Sequence, residues 1–206
     1  MTTIISLIRH GLVDNPNDIY YGRLPGFRLA TKGRAQATAA GRYLAQFDVT
    51  AIYHSPMLRA CQTAELVAAE LAAPVPLVAC DLLNEIYSPF DGQPIAEMKR
   101  RQWDLYTGVE PPYEQPRDIL ARMKQFFAQV RAERSGQHVV GISHGDPVAF
   151  AILDAFGYPL LPSDKKLLVE CGVDDLYPAP ASISTFVFDA GGAFVEYRYH
   201  CPHDNS

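Results

Sequence analysis

Residues 4–11 have the sequence Ile-Ile-Ser-Leu-Ile-Arg-His-Gly, and this segment decides the fold. Its almost continuous, β-branched apolar run is typical of a strand that is buried on both faces, as in the middle of a parallel sheet. The run stops at Arg9 and His10, and in open α/β sheets ligands bind just beyond the carboxyl ends of the strands. We therefore expect a cation and an imidazole where an anion could bind. A strand that simply ends in a polar loop would give the same pattern.

The chain as a whole has 206 residues, which suits one large domain or one domain with a subsidiary insertion. Its net charge of −5 argues against a general nucleic-acid binder. The four cysteines form no CxxC pair, which predicts a reducing compartment and no zinc site. The N-terminal residues do not resemble a signal peptide, and no apolar segment approaches the length of a membrane span. We therefore expect a cytoplasmic protein that binds neither nucleic acid nor a membrane.

Hydrophobic periodicity and turn residues outline the remaining elements. Helices are predicted over about 32–47, 56–72, 95–106, 117–134 and 147–156. Further strands are predicted over about 51–54, 76–79, 139–142, 183–188 and 193–199, and the last two form a hairpin. The predicted N-caps are Thr31, Ser55 and Asp146, and the predicted irregular segments are 12–30, 107–116 and 158–181.

This order of elements predicts an α/β fold: a three-layer sandwich with a mostly parallel central sheet flanked by helices. We expect a single domain over residues 1–206, with a small helical insertion at about 80–116. The sequence contains no internal repeat and no low-complexity segment that would indicate another architecture.

Two predicted strands end alike, one at His10 and the other at His144, and each histidine is followed by glycine. Arg59 lies in the first turn of a predicted helix, where the helix dipole disfavours a cation unless an anionic ligand binds there. Together with Arg9 and Glu85, these residues suit a phosphoryl group. Guanidinium matches phosphate oxygens, neutral imidazole can attack phosphorus, and a carboxyl group can protonate the departing oxygen.

The chain resembles the histidine phosphatase superfamily, which includes the cofactor-dependent phosphoglycerate mutases. Four separate pieces match in order: Leu-Ile-Arg-His-Gly at 7–11, Gly-Arg-Ala-Gln-Ala at 33–37, Ser-Pro-Met-Leu-Arg-Ala-Cys-Gln-Thr-Ala at 55–64, and Ser-His-Gly at 143–145. The acidic segment Leu-Asn-Glu at 83–85, followed by Gly92, matches less tightly. The ten-residue piece at 55–64 is the most specific.

This resemblance implies a role for each matching residue. His10 would be the nucleophile that forms a phosphohistidine, and Arg9 and Arg59 would hold the phosphoryl oxygens. His144 would donate a further hydrogen bond to the developing charge. Glu85 would act first as general acid and then as the base that activates water. The resemblance implies no metal and no other cofactor.

The substrate contacts are predicted less directly. Arg23, in the loop after the first strand, is a candidate substrate ligand, and Gly145 is expected beside the phosphoryl group. Where the family has an asparagine after the first motif, this chain offers Asn15 or Asn17. It also departs from the family pattern by carrying apolar residues directly after the first motif, at 12–13. These differences concern the leaving group rather than the phosphate chemistry.

The predicted function is hydrolysis of a small-molecule phosphomonoester through a phosphohistidine. One alternative is a phosphoglycerate mutase, although mutases need extra segments to exclude water and this chain is short for them. A non-catalytic phosphate-binding regulatory domain is a second alternative, and the complete set of site residues argues against it. The oligomeric state is open, with a homodimer among the options. His54 and Trp103 match no motif, and we interpret them as structural residues or pocket wall.

Overall fold

The computed structural model describes residues 2–174 and 176–203, and its central feature is one six-stranded sheet. The strands are β1 (Thr3–Arg9), β2 (Val49–His54), β3 (Leu77–Ala79), β4 (His138–Ser143), β5 (Ile183–Phe188) and β6 (Phe194–His200). The α-helices are α1 (Thr31–Leu44), α2 (Leu58–Glu70), α3 (Ile95–Arg100), α4 (Pro116–Glu133) and α5 (Gly145–Ala155). Two 3-10 helices span Asp81–Leu83 and Pro162–Cys171.

The strand order is β3-β2-β4-β1-β5-β6. Strands β1 to β4 pair in parallel, whereas β5 runs antiparallel to β1, and β6 runs antiparallel to β5. The predicted α/β fold with a mostly parallel sheet is therefore confirmed. Because β1 and β4 are neighbours in register, with Arg9 opposite Ser143, the residues that follow them emerge at the same edge of the sheet.

Strand β1 is buried on both faces because helices cover the sheet on both sides. Ile5 and Leu7 belong to the larger apolar cluster, which includes most of the buried apolar residues of α4 and α5. Ile8 points to the opposite face and belongs to the cluster formed with α1 and α2. This alternation follows the two-residue period of a strand, and it explains why the β1 sequence is apolar almost throughout.

The starts of two helices differ from the prediction. Helix α1 begins at Thr31 itself, so this residue lies inside the helix and is not its N-cap. Helix α2 has Met57 as N-cap, because Ser55 lies two residues earlier and its hydroxyl donates to Asn84 Oδ1 at 2.8 Å. The serine oxygen also accepts from the Met57 backbone N–H at 3.3 Å, so the side chain combines a local contact with a tertiary one.

Two predicted segments have the wrong extent. The helix expected over 95–106 ends at Arg100, since Gln102 and Trp103 have φ angles of 53° and 58°, which a right-handed helix cannot contain. The segment 158–181 is not irregular throughout, because it contains the second 3-10 helix. The insertion expected at about 80–116 contains the first 3-10 helix and α3, and its status as an insertion stays a prediction. No helix within the described ranges has the length and apolarity needed to cross a membrane.

Candidate active site

The site lies where β1 and β4 end. His10 follows β1 and His144 follows β4, and their ring centroids are 5.1 Å apart at an interplanar angle of 63°. Both side chains are buried. The parallel, in-register pairing of the two strands brings these histidines together although they are far apart in sequence.

The tautomer of His10 is set by the next residue. His10 Nδ1 lies 2.8 Å from the Gly11 carbonyl oxygen, which can only accept a hydrogen bond, so Nδ1 carries the proton. The lone pair is then on Nε2. Burial, followed by the charges of Arg59 and Arg9, holds the pKa of His10 well below its usual range. The imidazole is therefore neutral near pH 7 and can act as a nucleophile.

Arg59 supplies a buried cation, with only 1% of its surface exposed. Its Nη2 donates to the Gly22 carbonyl at 2.7 Å and to His144 Nδ1 at 3.1 Å, and its guanidinium carbon lies 4.9 Å from the centre of the Tyr21 ring. Burial lowers the pKa of Arg59, and the neighbouring Glu85 counteracts this decrease. The guanidinium therefore keeps its positive charge in the buried site. Arg9 is the second cation, and it donates through Nη1 to a backbone carbonyl at 2.7 Å.

His144 presents a donor to the site. Its Nδ1 accepts from Arg59, so in the neutral ring the proton sits on Nε2. Burial and the neighbouring arginines hold the pKa of His144 well below its usual range, which keeps the ring neutral. Within the described residues, the Nε2 of His144 and the Nε atoms of Arg9 and Arg59 are buried without a hydrogen-bond acceptor. Buried donors are nearly always paired, so three together indicate a site for an oxyanion.

Glu85 is the carboxyl group of the site. Its Oε1 accepts from the Ile86 backbone N–H at 2.9 Å, and its Oε2 lies 3.6 Å from His144 Nδ1 and 3.8 Å from Arg59 Nη2. Burial raises the pKa of Glu85, and the charge of Arg59 opposes this only in part. The carboxyl group thus holds a proton at higher pH than an ordinary glutamate, as a general acid must.

The ligand atoms of His10, Glu85 and His144 lie within 4.8 Å of one another, which is close enough to hold a metal ion. Two guanidinium groups adjoin this cluster, however, and Arg59 already occupies His144 Nδ1. A cation would be repelled by the two arginines, whereas an anion would be attracted. The donor set therefore fits a phosphoryl group better than a metal.

Asp146 is not the helix cap that the sequence predicts, because His144 is the N-cap of α5. The buried Asp146 carboxylate accepts hydrogen bonds from the hydroxyls of Tyr106 and Tyr177, and Lys165 Nζ lies 2.7 and 2.8 Å from its two oxygens. Burial raises the pKa of Asp146, but Lys165 and these hydrogen bonds outweigh it, so the net shift is downward. The ionised Asp146 therefore ties the second 3-10 helix to the active site.

Gly145 lies in the wall of the cavity, and its contact with a phosphoryl group stays a prediction. A Cβ atom at this position would lie 2.1 Å from the hydroxyl oxygen of Tyr177 and 2.6 Å from its ring. Glycine is thus required for Tyr177 to reach Asp146 across the start of α5.

Three further predicted substrate ligands, Arg23, Asn15 and Asn17, lie outside the cavity wall, as does Arg59. Arg23 donates through Nε to the Glu85 carbonyl at 2.8 Å and through Nη2 to Glu114 at 3.0 Å, which favours a positioning role. Asn15 closes a turn by donating to the Ile19 carbonyl at 2.9 Å, and Asn17 is exposed. Substrate contact by these three residues stays a prediction.

The cavity has a volume of about 580 Å³. Its wall contains Arg9, His10, Glu85 and Gly145, together with residues that the motifs did not indicate. These further residues are Tyr20, Tyr21, Ile95, Gln102, Trp103, Leu105, Asp146, Pro162, Lys165, Lys166, Leu176 and Tyr177. Most come from segments without a motif, although the sequence suggests Tyr20, Tyr21 and Trp103 as possible pocket wall, and Asp146 directly follows the His144-Gly145 pair.

The sequence profile of the histidine phosphatase superfamily (branch 1) matches residues 5–196. The chain belongs to this superfamily. The uncharacterized protein Rv0525 of Mycobacterium tuberculosis (strain ATCC 25618 / H37Rv) is 33% identical over 207 residues, covering 97% of this chain and 96% of the relative. The uncharacterized phosphatase PhoE of Bacillus subtilis (strain 168) is 26% identical over 156 residues, covering 75% and 78%.

Among solved structures, the mycobacterial glucosyl-3-phosphoglycerate phosphatase Rv2419c superposes with a TM-score of 0.74. It is 20% identical, and the match covers 98% of both chains. At this identity the likeness establishes the shared fold alone. Membership of the histidine phosphatase superfamily supports a phosphatase or a mutase reaction.

In this member of the histidine phosphatase superfamily, the Asp146 network should contribute to stability. Tyr106→Phe removes one donor to a buried charge and should lower the free energy of unfolding by about 1.5–3 kcal/mol, measured by urea denaturation. Tyr53→Phe is a matched control. Both tyrosines are buried, with 3% and 4% exposed, but the Tyr53 hydroxyl makes only a 3.4 Å contact with Glu133. Equal losses in the two variants would contradict the assigned role of the network.

Proposed function

We propose that this chain is a phosphatase that hydrolyses a small-molecule phosphomonoester through a phosphohistidine on His10. The proposal rests on the neutral imidazole of His10, held by its Nδ1 proton, and on three buried N–H donors that lack acceptors among the described residues. A neutral nucleophile and a set of oxyanion donors are the two requirements of phosphoryl transfer to nitrogen.

In the first step, Arg9, Arg59 and His144 Nε2 donate to the non-bridging phosphoryl oxygens. The two arginines neutralise charge that the dianionic substrate brings into the cavity. The Nε2 lone pair of His10 then attacks phosphorus from the side opposite the leaving oxygen. The donors are held by protein contacts before substrate binds, so little reorganisation is needed as charge shifts in the transition state.

Glu85 completes this step by protonating the leaving oxygen. The phosphorus–oxygen bond breaks as the phosphorus–nitrogen bond forms, and the alcohol leaves with the carboxyl proton. Glu85 is now a carboxylate next to the phosphohistidine. The raised pKa of its buried carboxyl group supports both the acid role and the later base role.

The second step returns the enzyme to its starting state. The Glu85 carboxylate accepts a proton from water, and the water oxygen attacks the phosphorus of phosphohistidine. The phosphorus–nitrogen bond breaks, the electron pair returns to His10 Nε2, and orthophosphate leaves. A mutase would instead return the phosphoryl group to an alcohol, and a regulatory domain would bind phosphate without turnover.

The first test is phosphate release from p-nitrophenyl phosphate. His10→Ala should lower kcat by at least about 10³-fold, as expected for loss of a nucleophile. His54→Ala is a matched control, because His54 Nδ1 also lies close to the carbonyl of the next residue, at 2.9 Å. We expect this variant to retain normal rates. Normal turnover in His10→Ala would show that the nucleophile is wrongly assigned.

The same screen should include 3-phosphoglycerate, with assays for orthophosphate and for the 2-isomer. Orthophosphate release is the expected outcome for substrates that turn over. Formation of the 2-isomer without orthophosphate would establish the mutase reaction instead. Binding of phosphate without turnover of any substrate would establish the regulatory alternative.

Glu85→Gln should separate substrates by the leaving group. Phosphorylation of His10 by an alkyl phosphate should slow by about 10²–10⁴-fold, because an alkoxide needs a proton. The single-turnover rate with p-nitrophenyl phosphate should fall much less, since p-nitrophenolate leaves almost unaided. Glu65→Gln, an exposed change on α2, is the control.

The pH dependence of the rate with an alkyl phosphate is a second test of the acid role of Glu85. Glu85 acts as an acid only while protonated, so the alkyl phosphate rate should fall as pH rises through its pKa. Burial raises that pKa, which places the fall at higher pH than the ordinary value of 4.5 predicts. Glu85→Gln should lack this limb. An equal loss with both substrates and an unchanged profile would contradict the acid role.

A further inference from the structure

Beyond the phosphoryl-binding residues, the cavity wall is mainly aromatic and apolar. The side chains that give it this character are Tyr20, Tyr21, Trp103, Leu105, Pro162 and Leu176. A volume of about 580 Å³ lies within the range typical of sites for ligands much larger than a phosphoryl group. The surplus space must accept the leaving group, and its walls offer ring faces and alkyl groups.

Trp103 has the most unusual position of these residues. It is 43% exposed although it is the only tryptophan of the chain, and it lines the cavity. With Gln102 it forms two consecutive non-glycine residues at positive φ, 53° and 58°. Such conformations are disfavoured and persist only where the surrounding structure enforces them, often at ligand sites. Here the backbone N–H of Trp103 donates to the Met98 carbonyl at 2.9 Å, which fixes the turn.

The buried charges of Lys165 and Asp146 on this side of the cavity cancel. Lys165 lies against both oxygens of Asp146, at 2.7 and 2.8 Å, and the pair is largely buried. Lys166, the other lysine in the wall, is exposed. Among the described lining residues that are buried or half-buried, Arg9 is therefore the one cation without a carboxylate partner. The proposed mechanism assigns Arg9 to the phosphoryl group. A second anionic group on a substrate would lose its hydration without gaining a buried counter-ion.

We propose that this half of the cavity is a specificity pocket for phosphomonoesters whose alcohol portion is uncharged and carries an aromatic ring, with Trp103 as the residue that stacks on that ring. The inference rests on the proposed phosphatase reaction and names its substrate class. Stacking and burial of a ring against Trp103 favour such a substrate. The cancelled charges disfavour phosphoglycerates and other substrates with a second anionic group.

The test compares kcat/KM for 2-phenylethyl phosphate, ethyl phosphate and 3-phosphoglycerate. The first two share a primary alkoxide leaving group, so their difference reports the ring rather than the leaving-group chemistry. We expect 2-phenylethyl phosphate to exceed both other substrates by about ten-fold or more, as burial of one ring predicts. An equal or higher value for ethyl phosphate or 3-phosphoglycerate would overturn the proposal.

Variants assign the preference to Trp103. Trp103→Ala should lower kcat/KM for 2-phenylethyl phosphate by about ten-fold while changing ethyl phosphate by less than about two-fold, and Trp103→Phe should restore most of the loss. Phe47→Ala is the matched control, since Phe47 is also an aromatic residue with 43% exposed, and it lies outside the cavity wall. Equal losses for both substrates in Trp103→Ala would overturn its assigned role.

A further variant, Asp146→Asn, tests whether the charges of Lys165 and Asp146 cancel. Asp146→Asn leaves Lys165 without its counter-charge, so the ratio of kcat/KM for 3-phosphoglycerate to that for ethyl phosphate should rise several-fold. An unchanged ratio would contradict the charge cancellation. If the wild-type enzyme releases phosphate from none of these substrates or from p-nitrophenyl phosphate, the proposed function fails and this inference with it. Release without a preference overturns the substrate class alone.

Discussion

The buried guanidinium of Arg59 is the constraint on which the site depends. Moving a cation out of water is costly unless its donors are used and its charge is opposed. In this chain the partners come from separate segments: the Gly22 carbonyl, Nδ1 of His144, the ring of Tyr21 and the carboxyl group of Glu85. The loop after β1, the end of β4 and the segment after β3 must therefore all converge on the first turn of α2.

The same contacts decide which atoms carry protons. Because Arg59 donates to Nδ1 of His144, the remaining His144 proton is on Nε2, where it is a donor. The neighbouring positive charge and burial also keep His10 neutral, so its lone pair is available. Glu85 is subject to opposing effects, and burial prevails, which raises its pKa. The buried cation thus favours a neutral His10 and a donor at Nε2 of His144, whereas burial of Glu85 favours its protonated form.

The sequence predicts the sheet and the residues proposed to bind the phosphoryl group because both depend on local patterns. The apolar run of β1 and the residues that end β1 and β4 are read directly from the chain. The wall of the proposed leaving-group pocket depends on contacts between distant segments, which local patterns do not show. Asp146 has the residue type and position of a helix cap, but its partners Lys165, Tyr177 and Tyr106 are 19, 31 and 40 residues away. A short polar side chain at a helix start can cap or make such a tertiary contact, and local sequence does not distinguish the two.

The central claim is that a phosphoryl group resides on His10 during turnover. The most direct measurement is to mix enzyme with a slow alkyl phosphate, quench in alkali, digest, and map the modification by mass spectrometry under conditions that preserve phosphohistidine. If His10 is the nucleophile, we expect a phosphoryl group on the peptide that contains His10 and none on the peptide that contains His144. Phosphorylation of His144, or turnover without a modified peptide at any time point, would contradict it.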